Sequence, residues 1–233
     1  TPYQTPPFSK IELKHYEPAF DYAIEQNRAE IDAIINNPEA PTFENTIVAL
    51  ERSGALFNHV ASVFFALDGA ESNPEMAEIM MEVMPLITAH SNEINLNEKL
   101  FERVKAVYET RESLNLNTED AMLLENTFKG FADNGANLSP EDKETYKQLS
   151  EKLSLASMRF KQNSLNETNA YSRLVTDSTE LAGMPAYFME MTAANAKAAG
   201  KEGWLLDLKA TCYSPLLTFA DNRALREEIW RAF

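Results

Sequence analysis

The sequence of 233 residues predicts a mainly α fold: an array of long antiparallel helices with a small β element near residues 171–210. Three observations carry this expectation. Apolar residues recur three and four apart over long runs, the spacing that gathers them on one face of a helix. Only seven glycines occur, few for a turn-rich all-β protein. Ser, Thr or Asn, in places followed by proline, stands ahead of several of these runs, as helix N-termini prefer.

The elements follow in order. Residues 1–17 hold Pro2, Pro6 and Pro7 and read as an extended arm. From Pro18 a first helix sets Phe20, Ile24, Asn27, Ile31 and Ile34 on one face, and "NNPEAPT" (36–42) ends it. Thr42 caps a second helix whose stripe runs Ile47, Leu50, Gly54, Phe57, Ala61, Phe64. Gly54 interrupts that stripe at a cost of about 1 kcal/mol relative to Ala and lets a neighbouring helix come close. Asn73 caps a third helix with Pro74 at its first position, and Pro85 within it predicts a kink. The fourth helix (97–114) carries Leu100, Val104, Val107 and Tyr108 on one side. Asn117 or Thr118 opens a fifth, with Ala121, Leu124, Phe128 and Phe131 inward. Ser139 caps the sixth and longest, which runs to about Ala170 with Tyr146, Leu149, Leu153, Ala156 and Phe160 in heptad-like register.

After Ala170 the pattern changes. "YSRLVT" (171–176) is β-prone, and a helix opened by Pro185 and closed by Gly200 follows. "GWLLDLKA" (203–210) sets Trp204, Leu206 and Leu208 against Leu205, Asp207 and Lys209, as a half-buried strand does. The two strands are expected to pair and pack on helices. A loop holding Pro215 then leads into a last helix, "NRALREEIWRAF", which reaches Phe233 without a stop signal. The expected organisation is therefore an arm (1–17), a helical array (18–170) and a small β/α segment (171–233).

Composition excludes several functions. Lys and Arg total 21 against 36 Asp and Glu, a net charge of -15, which repels nucleic-acid phosphates and anionic lipid alike. No stretch reaches the ~20 apolar residues of a membrane span. Cys212 is the only cysteine, so no internal disulfide forms.

The residues that carry chemistry are sparse. The histidines are His15, His59 and His90. A zinc-peptidase helix needs two histidines four apart with a Glu between them, and no H-E-x-x-H occurs. His90 and Glu93 share a helix face in "HSNEI", but the reversed motif would need His where Ile94 stands. His90 reads as a helix-surface or capped residue, His59 as hydrogen-bonded within a helix interface, and His15 as a cap or a partner of Tyr16. Cys212 has no histidine nearby in sequence and reads as a small apolar residue. The pairs Glu119/Asp120 and Glu141/Asp142 suit the positive ends of helix dipoles, and Glu227/Glu228 an exposed face. Two methionine groups, Met76, Met80, Met81, Met84 and Met184, Met189, Met191, read as core filling. No P-loop, G-x-G-x-x-G or G-x-S-x-G is present. No catalytic, cofactor-binding or metal-binding residue is expected in this stretch.

Longer phrases carry a resemblance. "PPFSKIELKHYEPAFDYAIEQNRAEIDAIINNPEAPTFENTIVALERSG" resembles the opening of the zinc metallopeptidases that include thimet oligopeptidase, neurolysin, oligopeptidase A and dipeptidyl carboxypeptidase. "VASVFFAL", "LFERVKAVYETRESLNLNTED", "ELAGMP" and "FADNRALREEIWRAF" look closest to the dipeptidyl carboxypeptidase branch. The resemblance implies the N-terminal part of a neurolysin-like helical fold, one wall of a deep channel. It implies a zinc site on an H-E-x-x-H helix in a C-terminal region that has no counterpart here, so no site residue carries over. The expected function is the channel-wall portion of a zinc-dependent peptidyl-dipeptidase that releases C-terminal dipeptides from short peptides, inert without its own C-terminal catalytic region. The cytoplasm is the expected compartment, with export after loss of a leader as the alternative. The competing expectation is a free-standing helical module that binds a partner helix.

Overall fold

The computed structural model describes residues 5–71 and 73–233. It is mainly α, as the stripes predict, with one two-stranded antiparallel sheet. Chain contacts divide it into two compact units, the first ending at Ala156 and the second Ser157–Phe233.

The first unit is built around α1 (Tyr16–Ile35), which packs on α3 (Ala55–Glu71), α4 (Pro74–Asn95) and α5 (Glu98–Glu109). Its expected face is the one it buries: Phe20, Ile24, Asn27, Ile31 and Ile34, joined by Tyr16 and Ala23. The helix serves two cores. Its first half meets Phe64, Met76 and Val83, with Tyr16 and Phe20 edge-on to the Phe64 ring at 4.9 and 5.5 Å. Its second half puts Ile31 and Ile34 among Ile47, Leu100, Val104, Leu124 and Phe131, the last two from α6 (Thr118–Asp133). Each fully buried Phe or Leu contributes roughly 2–3 kcal/mol of transfer free energy, so this one face links most of the apolar stabilisation of the unit.

The caps at Thr42, Asn73 and Asn117 fall where the sequence puts them, and Asn97 adds another. Asn73, Asn97 and Asn117 accept the N–H groups of Met76, Leu100 and Asp120 at 2.8–3.0 Å. Thr42 and Asn45 cap reciprocally, and a six-residue π-helical stretch, Phe43–Val48, leads into α2 (Ala49–Arg52). Helix α4 continues through Pro85.

Several expectations need correction. Of the arm read over 1–17, residues 1–4 lie outside the described residues; the remainder coils into 3-10 turns at Phe8–Lys10 and Leu13–His15 instead of staying extended. The second helix is not continuous: the chain breaks at Ser53–Gly54 between α2 and α3, because Gly54 takes φ +71. The close approach expected there is real, since a Cβ on Gly54 would sit 3.2 Å from Asn27 of α1. Ala121 points outward, whereas Leu124 and Phe131 are buried. Helix α7 (Pro140–Ala170) forms as expected, and its heptad-like stripe lies outside the core: Leu149 is 59%, Leu153 68% and Phe160 77% exposed, and Ala156 is exposed too. A different face holds the helix. Lys143 pairs with Glu98 at 3.1 Å, Asn92 donates to the Ser150 hydroxyl at 2.8 Å, and Thr88 to the Ser154 hydroxyl at 3.0 Å. Polar contacts on that side fix α7, and the apolar side faces solvent.

In the second unit β1 (Arg173–Val175) pairs with β2 (Trp204–Leu206), Leu174 opposite Leu205. Between the strands α8 (Ala186–Ala198) buries Phe188, Thr192 and Ala196. The expected loop around Pro215 is instead a helix, α9 (Ala210–Phe219). Burial of Cys212 and Leu216 on either side outweighs the backbone bond that Pro215 lacks. Helix α10 (Arg223–Ala232), capped by Asn222, adds Leu225 and Ile229 to the same core. Arg173 bridges Glu180 at 2.7 Å and Glu228 at 3.2 Å, tying β1 to α10.

Two glycines of the first unit behave oppositely. Gly69 lies within α3 with open space where a Cβ would stand. Gly69→Ala is expected to raise stability by about 0.5–1 kcal/mol, and Gly54→Ala to lower it by about 1–2 kcal/mol. Urea denaturation of the two variants checks this; effects of the same sign would contradict the break at Gly54.

Candidate functional site

The three histidines occupy three different environments. His15 is exposed, and its Nδ1 accepts the Glu12 N–H at 3.0 Å, so it caps as expected. His59 is exposed on α3, not within a helix interface. Phe57, Ala61 and Phe64 of "FNHVASVFF" lie about 140–160° around the helix from it and face the core. His90 is the reverse case: expected at the surface, it is 2% exposed.

His90 sits at the centre of a polar junction inside the first unit. α4 presents it toward α1, where its Nε2 lies 2.8 Å from Asn27 Oδ1. The Asn27 amide nitrogen donates to Glu30 at 3.3 Å, which leaves Oδ1 as the acceptor and makes His90 the Nε2–H tautomer. Glu30 also accepts the Gly54 N–H at 2.7 Å, so α1, α4 and the break before α3 share one network. The Phe57 ring stands 5.5 Å from the imidazole. At the solvent edge Arg28 grips Glu93 with two bonds, 2.7 and 2.8 Å. The nearest Glu93 oxygen is 3.7 Å from His90 Nδ1, too far for a hydrogen bond, and this nitrogen is buried without a partner.

The electrostatics follow from these positions. Burial pushes the His90 pKa down from the ordinary 6.5, so the ring is neutral at pH 7. The Arg28 guanidinium holds the Glu93 carboxyl below the ordinary range. The Nε2–H bond of His90 serves a helix crossing.

The remaining candidates resolve in the same direction. Cys212 is buried, and desolvation pushes its thiol up to about 11, far from the thiolate a nucleophile needs. Glu119/Asp120 and Glu141/Asp142 occupy the first turns of α6 and α7. Glu228 pairs with Arg173, and Glu227 with Arg231 at 2.8 Å. Met76 is buried, while Met184, Met189 and Met191 pack against the second unit's core. Met81 stands out to solvent. An open cleft of ≈ 580 Å³ is lined by Asp32, Glu98, Lys99, Lys143, Glu144 and Lys147, cations and carboxylates in equal number. Among the described residues no three His, Cys, Asp or Glu side chains are grouped to hold a metal ion.

Two buried groups escaped detection in the sequence. Arg103 on α5 donates to the carbonyls of Asn37 and Glu39 and to Asn45, clamping the "NNPEAPT" loop. The Asn27–His90 bond joins residues 63 apart. Its only local trace is the polar Asn27 within an otherwise apolar stripe.

No protein-family model matches the chain. Curated relatives do. The chain is 39% identical over 232 residues to a dipeptidyl carboxypeptidase of Salmonella typhimurium and 38% identical over 232 to one of Escherichia coli. It is 30% identical over 233 residues to oligopeptidase A of Escherichia coli. These matches take in 99–100% of the chain but 34% of each relative, so it spans about a third of their length.

The junction generates a pH signature. A His whose folded pKa is depressed stabilises fully above its ordinary value of 6.5 and loses that contribution as pH falls, since the unfolded chain binds the proton first. Glu93 acts in the same sense below 4.5. Thermal denaturation from pH 7.5 to 5 is expected to show stability falling below pH 6.5, with His90→Gln flattening the slope. At pH 7 that variant is expected to be less stable by about 1–3 kcal/mol. An unchanged pH slope in His90→Gln would remove His90 as the titrating group.

Proposed function

We propose, from the premise that this chain is kin along its whole length to the dipeptidyl carboxypeptidases and oligopeptidases A, that it is the N-terminal, channel-wall portion of a zinc-dependent peptidyl-dipeptidase acting on short peptides. One observation supports this above others: the match to dipeptidyl carboxypeptidases, at 38–39% identity against 30% for an oligopeptidase A, takes in 99% of the chain. The described residues do not fit a zinc site, since His15 and His59 are exposed singly and His90 is bonded to Asn27. No step of peptide hydrolysis is therefore assigned to this chain. Its part is a rigid helical wall that limits access to short peptides and helps keep bulk water from a site held elsewhere. The compartment of this proposal is the cytoplasm. Among the described residues no helix is long and apolar enough to cross a membrane.

A second reading, a helical interaction module, draws on the exposed stripe of α7. A reading frame that ends at Phe233 would favour it.

The test compares the 233-residue chain with the full-length gene product, using short peptide substrates and metal analysis. The full-length product is expected to release C-terminal dipeptides, to lose activity with a chelator and to regain it with zinc. The chain alone is expected to give no turnover and no stoichiometric zinc. Turnover by the chain alone would overturn the proposal.

A further inference from the structure

The geometry points to the exposed apolar stripe of α7 as a docking surface, and we propose that its occupant is an amphipathic helix with an acidic edge, supplied by the part of the longer protein that this chain does not span. This rests on the proposed function, which supplies that longer protein.

The stripe has the spacing a helix recognises. Leu149, Leu153 and Ala156 follow at i, i+4 and i+7 on one face, and Phe160 extends the row. All four are exposed, and neither leucine belongs to any core of the chain. The helix does not need this face to hold its place. Lys143, Ser150 and Ser154, which anchor it, lie about 100° around the axis from the stripe. Unpaired rows of this kind accept the knobs of a second helix.

Charge selects the partner. Lys152 and Arg159 border the stripe on one edge and Ser150 and Ser157 on the other. Glu151, the one carboxylate between Leu149 and Phe160, points about 160° away. A cationic edge stands out on a chain of net charge -15. A second copy would bring the same two cations and another large negative charge, whereas a helix with Asp or Glu beside its apolar row pairs with both. Length supplies the source: the relatives are about three times as long as this chain.

The test places a cysteine in the stripe. Leu153→Cys is prepared in the 233-residue chain and in the full-length product, and maleimide labelling at position 153 is followed by peptide mapping. Cys212, being buried, gives little background. Labelling is expected to be rapid in the chain and roughly tenfold or more slower in the full-length product, where reaction awaits local opening. Adding Lys152→Glu and Arg159→Glu is expected to speed labelling severalfold in the full-length product only. Equal rates in both proteins, a reading frame ending at Phe233, or slow labelling in the chain itself would overturn the proposal. Protection of the chain that grows with concentration would identify a second copy as the occupant. Indifference to the charge reversals would refute the acidic edge. Peptidase activity of the same full-length product is read separately, so a failed stripe and a failed functional assignment give different results.

Discussion

The first unit depends on one crossing, where Asn27 of α1 meets His90 of α4 at 2.8 Å. Both side chains are buried, and an unmatched polar group there costs about 1–3 kcal/mol, so the bond permits one register between the helices. The apolar faces alone are more tolerant. Phe20 and Ile31 of α1 belong to different cores, and sliding the helix by one turn would still bury apolar surface. The Asn27–His90 pair removes that freedom. Glu30 extends the constraint to Gly54, so the chain break before α3 is fixed by the same residues.

That constraint also occupies the buried imidazole. A catalytic histidine needs a free nitrogen aimed at a reacting group. His90 Nε2 is occupied by a helix contact, and Nδ1 faces a carboxylate already gripped by Arg28. Cys212 is raised by burial, and Glu228 is held by Arg173. The groups that composition offered for chemistry are used in packing, capping and ion pairs.

Much of this was legible in the sequence, for physical reasons that also mark where legibility ends. The stripe of α1 was readable because burial follows the 3.6-residue period, and the Asn caps because the capping bond is local, within three residues. The strands were readable from alternation, although their pairing closes over only three residues each. Gly54 was misread because propensity reports the average price of glycine in a helix, not whether the chain adopts positive φ there. Pro215 was misread because tertiary burial of Cys212 and Leu216 overrode a local breaker. His90 and Arg103 were missed because their partners lie 63 and 58–66 residues away. The α7 stripe was legible as an apolar, heptad-like row, but periodicity reports a face, not its occupant.

The claim that the buried imidazole is structural is open to direct measurement by long-range nitrogen NMR of the three histidines at pH 7, with and without a slight excess of zinc. The account predicts a neutral, Nε2-protonated His90 whose resonances stay in place when zinc is added. A His90 that takes the other tautomer, or shifts in step with one equivalent of zinc, would contradict it.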